Sequence, residues 1–341
     1  MRGGGVARVT QADVARAAGT SMAVVSYVVN GGPRPVAEGT RQRVLAAIEQ
    51  TGYRPDGVAR ALVGGSTMTL GLIVPDIANE FFAELARAVE HAARAAGRTV
   101  LLANSEGDAQ TELALLETFL ERRIDGVVII SQAPITAARM LERAGTRRVF
   151  LGAAPPDDSS IGVDNFGGAV AATMHLVGHG YERIAMIGGP DLDEVADARR
   201  DGWQHALTSL GAAEEGAFVH QPFTVDGGYV GGLQLLAGDT RPQAIFAASD
   251  RQAIGLLRAA ADEGISVPDE LAIATFDGSA ASAYAVPSLT TVQQPITQMA
   301  DLAVRQLTAH DAPPLHAVLE VGLVIRRSCG CSRPWLEPRR L

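Results

Sequence analysis

The spacing of apolar residues differs between the beginning of this sequence and the rest of it. Up to residue 54, apolar residues recur three and four positions apart, which is typical of the buried face of helices. From Thr69 onward, short runs of apolar residues alternate with longer amphipathic stretches. The first pattern predicts a small all-α domain, and the second predicts a large α/β domain.

The first two predicted helices have the order of a helix-turn-helix. Thr10 and Asp13 have the spacing of a capping box, so a helix begins there, and Gly19 ends it. Ser21 is a second N-cap, and the helix after it ends around Asn30. Two short helices joined by a glycine-containing turn predict a DNA-binding motif, although other small helical bundles share this spacing.

A third helix is expected from Thr40 to Gly52, with Val44, Leu45 and Ile48 facing inward. The outward face of the second helix favours DNA binding, because it is small and amphipathic and lacks the Glu and Lys pairs of a solvated face. Its residues are Met22, Ala23, Ser26 and Tyr27.

The rest of the chain has the pattern of two doubly wound lobes. Apolar strands that alternate with helices predict parallel sheets buried on both faces. Ligands bind such sheets at the carboxyl ends of the strands. The predicted strands are residues 70–74, 99–103, 126–130, 149–151, 184–187, 244–247 and 271–274.

Polar and aromatic residues follow these strands and are the candidate binding residues. Two kinds of group, flat apolar rings and bidentate polar partners, suit a polyhydroxylated ligand such as a sugar. The candidates are Phe81, Phe82, Asn104, Arg199, Phe223, Ser249, Asp250 and Asp277.

Structural roles remain open for several of these candidates. Phe81 and Phe82 are equally compatible with an ordinary core. Arg199 is also compatible with a surface ion pair, since Asp201 is close to it in the sequence. Asp250 is also placed to cap the helix that follows it.

Charge is distributed unevenly along the 341 residues. The net charge is −9, but residues 1–66 contain eight arginines and four acids, which leaves +4 there and −13 in the remainder. A cationic domain can be held against DNA phosphates while an acidic body stays clear. The sequence has no apolar stretch of membrane length and no signal-like N-terminus, so we expect a cytoplasmic protein without a membrane partner.

The histidine and cysteine residues do not have the spacing of a known metal-binding motif. Cys329 and Cys331 are separated by one residue, which makes a strained disulfide and, with two thiols alone, a poor zinc site. His175 and His179 have helical spacing, but no third ligand is evident. We therefore expect reduced thiols, no metal and no cofactor.

The motifs of common α/β enzymes are missing. No dinucleotide-binding glycine motif follows the first strand, no phosphate-binding P-loop occurs, and the glycine-rich residues 227–232 have no apolar strand before them. No nucleophile is paired with a base, so an enzyme is disfavoured. An exported sugar receptor has the same type of body, but the cationic helical head argues against it.

Several segments resemble the lactose/galactose-repressor family of bacterial transcription regulators. Residues 9–30 resemble its helix-turn-helix signature, and residues 53–62 resemble its hinge helix. The likeness continues in segments to about residue 327. It implies a helix-turn-helix head, a hinge helix and a two-lobed body like that of periplasmic binding proteins.

By this resemblance, Met22, Ala23 and Tyr27 occupy base-reading positions, with Tyr27 where many members have arginine. Leu62 occupies the place of a leucine that enters the minor groove, and Ala59 lies one turn earlier. The full set of expected DNA-binding residues is Thr10, Ser21, Met22, Ala23, Ser26, Tyr27, Asn30, Tyr53, Ala59 and Leu62.

The same resemblance assigns the pocket loops. Residues 75–82 resemble the first loop, with Glu80 in place of the usual proline, and residues 198–203 resemble the segment with an effector-binding arginine. Residues 289–294 resemble a crossover segment, which adds Gln294 to the candidates. Ser249 stands where asparagine is common.

The domain organisation and function follow from these assignments. We expect a homodimeric repressor that binds palindromic operator DNA under the control of a sugar effector. A purine- or nucleoside-responsive regulator of the same architecture is the alternative. The expected parts are a head at 1–54, a hinge at 55–66, an N-lobe at about 67–162 and 293–318, a C-lobe at about 163–292 and 319–328, and a tail at 329–341.

Overall fold

The computed structural model forms two compact units, residues 1–67 and 68–341. It describes residues 9–30, 34–54, 65–191, 193–209, 217–238, 240–309 and 311–331. The expected hinge helix, with Ala59 and Leu62, lies outside the described residues, as does the chain after Cys331.

The described residues of the first unit form three helices: α1 Gln11–Ala18, α2 Met22–Asn30 and α3 Glu38–Thr51. The Asp13 carboxylate accepts hydrogen bonds from the Thr10 backbone N–H, at 2.9 Å, and from its hydroxyl, at 2.7 Å. Gly19 ends α1 with a φ of 61°. The Ser21 hydroxyl accepts from the Val24 N–H at 3.3 Å, so the predicted start of α2 is confirmed.

A small apolar core joins these three helices. Val14 of α1, Val25 of α2 and Val44 of α3 are completely buried in it. The expectation that Leu45 faces inward is wrong, since its side chain is 41% exposed. Leu45 follows Val44 by one position, about 100° around the helix, and Ala47 takes the inward place instead.

The second unit alternates strands and helices. Its strands are β1 Thr69–Val74, β2 Thr99–Asn104, β3 Gly126–Ile129, β4 Arg147–Leu151, β5 Ser159–Val163, β6 Ile184–Gly188, β7 Phe218–His220, β8 Ala244–Ala247, β9 Ala272–Asp277, β10 Thr290–Gln293, β11 His316–Leu319 and β12 Gly322–Val324. Its helices are α4 Glu80–Ala95, α5 Ala109–Glu121, α6 Pro134–Arg143, α7 Asn165–Gly178, α8 Glu194–Thr208, α9 Val225–Leu236, α10 Asp250–Asp262, α11 Ala280–Tyr284 and α12 Ile296–Thr308.

Two six-stranded sheets organise these elements. One has the order β11-β5-β4-β3-β1-β2, and the other has the order β12-β10-β9-β8-β6-β7. All the pairings are parallel except that of β10 with β12. We call the first sheet with α4–α6 and α12 the N-lobe, and the second with α7–α11 the C-lobe. The chain passes between the lobes after β5, after β10 and after β11.

The strands differ in how far they are buried. Every residue of β3, β6, β8 and β9 is buried, as expected for a sheet covered on both faces. The expectation fails for β2, where Leu102 is 47% exposed. Among the strands that the structure describes, β2 lies at the edge of its sheet and pairs with β1 alone.

Candidate functional site

Arg199 is the centre of a buried polar cluster at the carboxyl ends of the C-lobe strands. It lies on α8 and is only 4% exposed. Its Nε donates to the Asn165 side-chain oxygen at 3.0 Å, and its Nη1 donates to the Ala248 carbonyl oxygen at 2.5 Å. Burial lowers the pKa of Arg199, while the nearby Asp277 charge opposes that effect.

The surface ion pair considered for Arg199 is formed instead by the next residue, Arg200. Arg200 contacts Asp197 at 3.0 Å and Asp201 at 3.4 Å, and all three side chains are at least one-third exposed. The two adjacent arginines therefore differ completely in environment. That alternative for Arg199 was wrong.

Asp277 ends β9 directly beside this arginine. Its Oδ1 accepts from Arg199 Nη1 at 3.4 Å and from Gln294 Nε2 at 2.9 Å. The residue is buried and has a φ of 116°, which residues other than glycine rarely adopt. Such backbone strain is concentrated at functional sites. Burial raises the pKa of Asp277, against the lowering effect of Arg199.

Asp250 lies at the start of α10, and its carboxylate oxygens accept hydrogen bonds from other residues of the protein. It accepts from the Ser279 backbone N–H and hydroxyl, both at 2.7 Å, and from the Thr291 hydroxyl at 2.8 Å. Burial, followed by the Asp277 charge, raises the pKa of Asp250 to about 7. The helix cap is Ser249, whose hydroxyl accepts from the Gln252 N–H at 3.3 Å, so the idea that Asp250 caps the helix was wrong.

The three aromatic candidates have different environments. Phe81 is 8% exposed and belongs to the N-lobe core, as the structural alternative predicted. Phe82 is half-buried and meets Phe81 edge-on, with 5.2 Å between ring centroids. Phe223 is half-buried, and its ring centroid lies 5.9 Å from the Arg199 guanidinium carbon. Phe82 and Phe223 are therefore the rings accessible to a ligand.

Two contacts join the lobes beside this cluster. Asp76, in the loop after β1, accepts from Arg251 Nη1 of α10 at 2.7 Å. The Glu84 carboxylate of α4 accepts from the Ala280 N–H of α11 at 2.9 Å. Asn104 supports the Asp76 loop, because its side-chain oxygen accepts from a backbone N–H there, that of Ile77, at 2.9 Å.

The structure thus gathers four of the nine predicted effector-binding residues into one group. Arg199, Asp277 and Gln294 form one hydrogen-bonded group, and Phe223 lies against it. Sequence reasoning missed Asn165 and Phe276, which hold Arg199 from another helix and another strand. It also missed Arg251, although this residue directly follows the candidate Asp250.

The helix-turn-helix face is accessible in the first unit. Ser21, Met22, Ala23 and Asn30 are exposed, whereas Ser26, Tyr27 and Tyr53 are half-buried. The Asn30 amide donates to the Ser26 hydroxyl at 3.1 Å, and Tyr53 packs against the small core of this unit.

Potential metal ligands that the sequence did not indicate lie together at the end of α7. Cys329 and Cys331 lie against His175 and His179. Both cysteines are free thiols, and Cys329 is buried.

Comparison with known proteins identifies the family. Residues 10–56 match bacterial regulatory proteins of the lacI family, and residues 173–329 match the periplasmic binding protein-like domain. The chain is 36% identical to catabolite control protein A of Priestia megaterium, over 89% of this chain and 92% of that protein. It is 35% identical to the ribose operon repressor of Escherichia coli (strain K12), over 86% and 91% respectively.

Solved structures show the same relationship. The lac repressor dimer bound to operator and the anti-inducer ONPF matches with a TM-score of 0.84 and 26% identity, over 94% of this chain and 99% of that one. The complex of the transcriptional regulator CelR with cellobiose matches with a TM-score of 0.70 and 30% identity, over 94% and 100%.

This chain therefore belongs to the LacI family of bacterial transcription regulators. It is a DNA-binding repressor whose periplasmic-binding-protein-like body binds a controlling effector, and it is not an enzyme. The predicted family, fold class and general function are confirmed. In the part of the chain that the structure describes, none of the helices has the length and apolarity to cross a membrane.

Proposed function

We propose that the effector is a carbohydrate, with Arg199 and Asp277 as its polar anchors and Gln294 beside them. The observation that carries this proposal is the buried Arg199–Asp277 pair at the strand ends, with its strained aspartate. A guanidinium and a carboxylate bind the vicinal hydroxyls of a sugar through charge-assisted hydrogen bonds.

The aromatic residues complete the recognition. A sugar has an apolar face as well as hydroxyls, and half-buried Phe82 and Phe223 offer rings for that face. The printed names of two relatives, the ribose operon repressor and the CelR–cellobiose complex, refer to sugars and support this chemistry. Ser249 and Asp250 act as supports of the pocket in this account, because protein groups occupy their side chains.

A purine base or nucleoside is the second candidate. Its planar ring would stack on Phe223, and the Asp277 carboxylate would accept its N–H groups. The Arg199–Asp277 pair favours a ligand that presents a donor and an acceptor side by side, which every vicinal diol does.

Operator binding requires two copies in this proposal. Two heads related by a two-fold axis read the two half-sites of a palindrome, and the similar lac repressor structure is a dimer on its operator. The α2 face with Met22, Ala23 and Tyr27 enters the major groove. The second copy would contact the N-lobe at its edge strand β2, where the apolar side chain of Leu102 is exposed. Such a regulator acts in the cytoplasm.

A thermal-shift screen of the full-length protein tests the ligand class. The panel contains ribose, cellobiose and other mono- and disaccharides, together with purine bases and nucleosides. A ligand at one hundred times its Kd stabilises the folded state by about 2.7 kcal/mol. We expect one carbohydrate to raise the melting temperature. A rise with purine compounds and none with carbohydrates would overturn the proposal.

A further inference from the structure

A cluster of histidine and cysteine side chains lies in the C-lobe, at the opposite end of α7 from Arg199. His175 lies in the last turn of α7, and His179 is its C-cap residue. The two rings are four positions apart and face the same side, with 4.9 Å between their centroids. This spacing is suited to two ligands of one metal ion.

The thiols reach this helix from the end of the described chain. Before them, the Ser328 hydroxyl accepts from the Thr290 N–H at 2.9 Å and donates to the Ile273 carbonyl oxygen at 2.6 Å. The backbone is therefore anchored to β10 and β9 just before Cys329. This anchor directs both thiols toward α7.

Glycine between the two cysteines is required by the geometry. Gly330 has a φ of 90°, and a Cβ at this position would lie 2.7 Å from the Tyr181 hydroxyl oxygen. The Tyr181 hydroxyl also donates to the Cys329 carbonyl oxygen at 3.4 Å, and its ring is stacked with His179. A tight turn thus presents both sulfur atoms on one side.

The four potential ligand atoms converge. Cys329 Sγ is 3.2 Å from His175 Nε2, Cys331 Sγ is 3.1 Å from His179 Nε2, and Cys331 Sγ is 3.7 Å from His175 Nε2. All four atoms lie within 4.8 Å of one another. Tetrahedral zinc, with bonds of about 2.3 Å to sulfur and about 2.0 Å to nitrogen, separates its S and N ligands by about 3.5 Å.

We propose that His175, His179, Cys329 and Cys331 bind one zinc ion. Two thiolates and two imidazoles are a donor set for zinc, whereas magnesium and calcium prefer oxygen. Four protein ligands leave no open position, so the site is structural. The ion joins the C-terminal segment to α7 across about 150 residues of sequence, and it closes a loop that contains most of the C-lobe.

This site is separate from the effector pocket. Asn165, which holds Arg199, is at the first residue of α7, and the fourteen residues of the helix extend about 20 Å. Loss of the ion is therefore expected to reduce the stability of the C-lobe while the Arg199 cluster keeps its contacts.

Metal analysis of the full-length protein tests the proposal. The protein is purified without a histidine tag, reconstituted with zinc and passed through a desalting column before mass spectrometry of its metals. We expect about one zinc per chain. Cobalt in place of zinc should give the visible absorption of a tetrahedral thiolate complex.

Two ligand variants and one control locate the ion. Cys331→Ser and His179→Asn change accessible ligands, so both variants should remain folded, and each should bind zinc at least tenfold more weakly. His205→Asn changes an exposed histidine on α8 and should keep full zinc content. A chelator should lower the melting temperature of the wild type and of His205→Asn more than that of the two ligand variants.

The opposite results would overturn the proposal. These are a wild type that retains no zinc after reconstitution, or equal zinc contents in the ligand variants and the control. A disulfide between Cys329 and Cys331 in the purified protein, without zinc, would also overturn it. None of these results bears on carbohydrate binding, which the thermal-shift screen measures separately.

Discussion

The guanidinium carbon of Arg199 lies 3.7 Å from the centroid of the Phe276 ring. Phe276 and the next residue, Asp277, both contact this arginine, although consecutive residues of a strand normally point to opposite faces. The φ of 116° at Asp277 reorients its side chain toward Arg199. A strained backbone therefore places an aromatic ring and a carboxylate around one buried cation.

Arg199→Lys should weaken effector binding at least tenfold and lower the free energy of unfolding by about 1–3 kcal/mol. Lysine retains the charge but loses the planar group that is stacked on Phe276 and bonded to Asn165. Arg200→Lys, at the adjacent half-buried position with surface ion pairs, should change stability by less than about 0.5 kcal/mol. Calorimetry and denaturant unfolding measure both effects, and equal results for the two variants would contradict the assignment.

Asp250 should make the stability of the protein depend on pH. Its pKa is about 7 in the folded protein and 3.8 as an ordinary carboxyl, so the folded state binds the proton more tightly. The free energy of unfolding should therefore fall as pH rises from about 4 to about 7, by at most about 1.4 kcal/mol per unit. Above this range the contribution of Asp250 should be constant.

Asp250→Asn should remove this dependence. The measurement is denaturant unfolding of the wild type and the variant at several pH values. The stability of the variant relative to the wild type should improve as pH rises from 5 to 7, the range set by the raised pKa. A constant difference across that range would mean that Asp250 is ionised throughout in the folded protein.

The contact between Asp76 and Arg251 should favour the closed arrangement of the lobes. Both side chains retain some exposure, so the pair is worth about 1 kcal/mol or less. Asp76→Asn should therefore weaken effector binding by about twofold to fivefold without lowering the melting temperature of the free protein. Small-angle scattering of the free variant should show a more open body. A variant with wild-type affinity and scattering would show that this contact does not couple the lobes.

DNA binding should depend steeply on salt although the net charge is −9, because the +4 head supplies the phosphate contacts. The logarithm of affinity for an operator selected from a random duplex library should fall against the logarithm of salt concentration with a slope of about −4 or steeper. A chain that begins at Met68 is the control, and it should bind the effector but not the DNA. A flat salt response of the full-length protein would contradict the assignment of the head.

The pattern of apolar residues along the chain predicted the strands in which every residue is buried. The apolar runs at 184–187 and 244–247 became β6 and β8, and every residue of each is buried. The strands β5, β10 and β11 begin with serine, threonine or histidine, and their sequences did not indicate strands. These strands border the crossovers, where pairing with a neighbour, rather than side-chain type, determines the conformation.

The candidate site was predicted in part, for a physical reason. Strand ends located Asp277 and Asp250, since the carboxyl ends of parallel strands share one edge of the sheet. The sequence did not distinguish buried Arg199 from half-buried Arg200, because their difference depends on partners in α7, β8 and β9. The contacts of His175 with Cys329 and Cys331 depend likewise on the packing of the C-terminal segment against α7.

Calorimetric titration of Asp277→Asn measures whether this carboxylate binds the carbohydrate. Asparagine has the same size and tolerates positive φ, but it lacks the charge that faces Arg199 and the ligand. The titrant is the carbohydrate that gives the largest thermal shift, and Asp201→Asn, an exposed site on α8, is the control.

Asp277→Asn should bind this carbohydrate about tenfold to a hundredfold more weakly, a loss of about 1.5–3 kcal/mol, while the control should bind like the wild type. Its operator affinity without carbohydrate should not change. Unchanged carbohydrate affinity of Asp277→Asn, together with a normal melting curve, would show that Asp277 does not bind the carbohydrate.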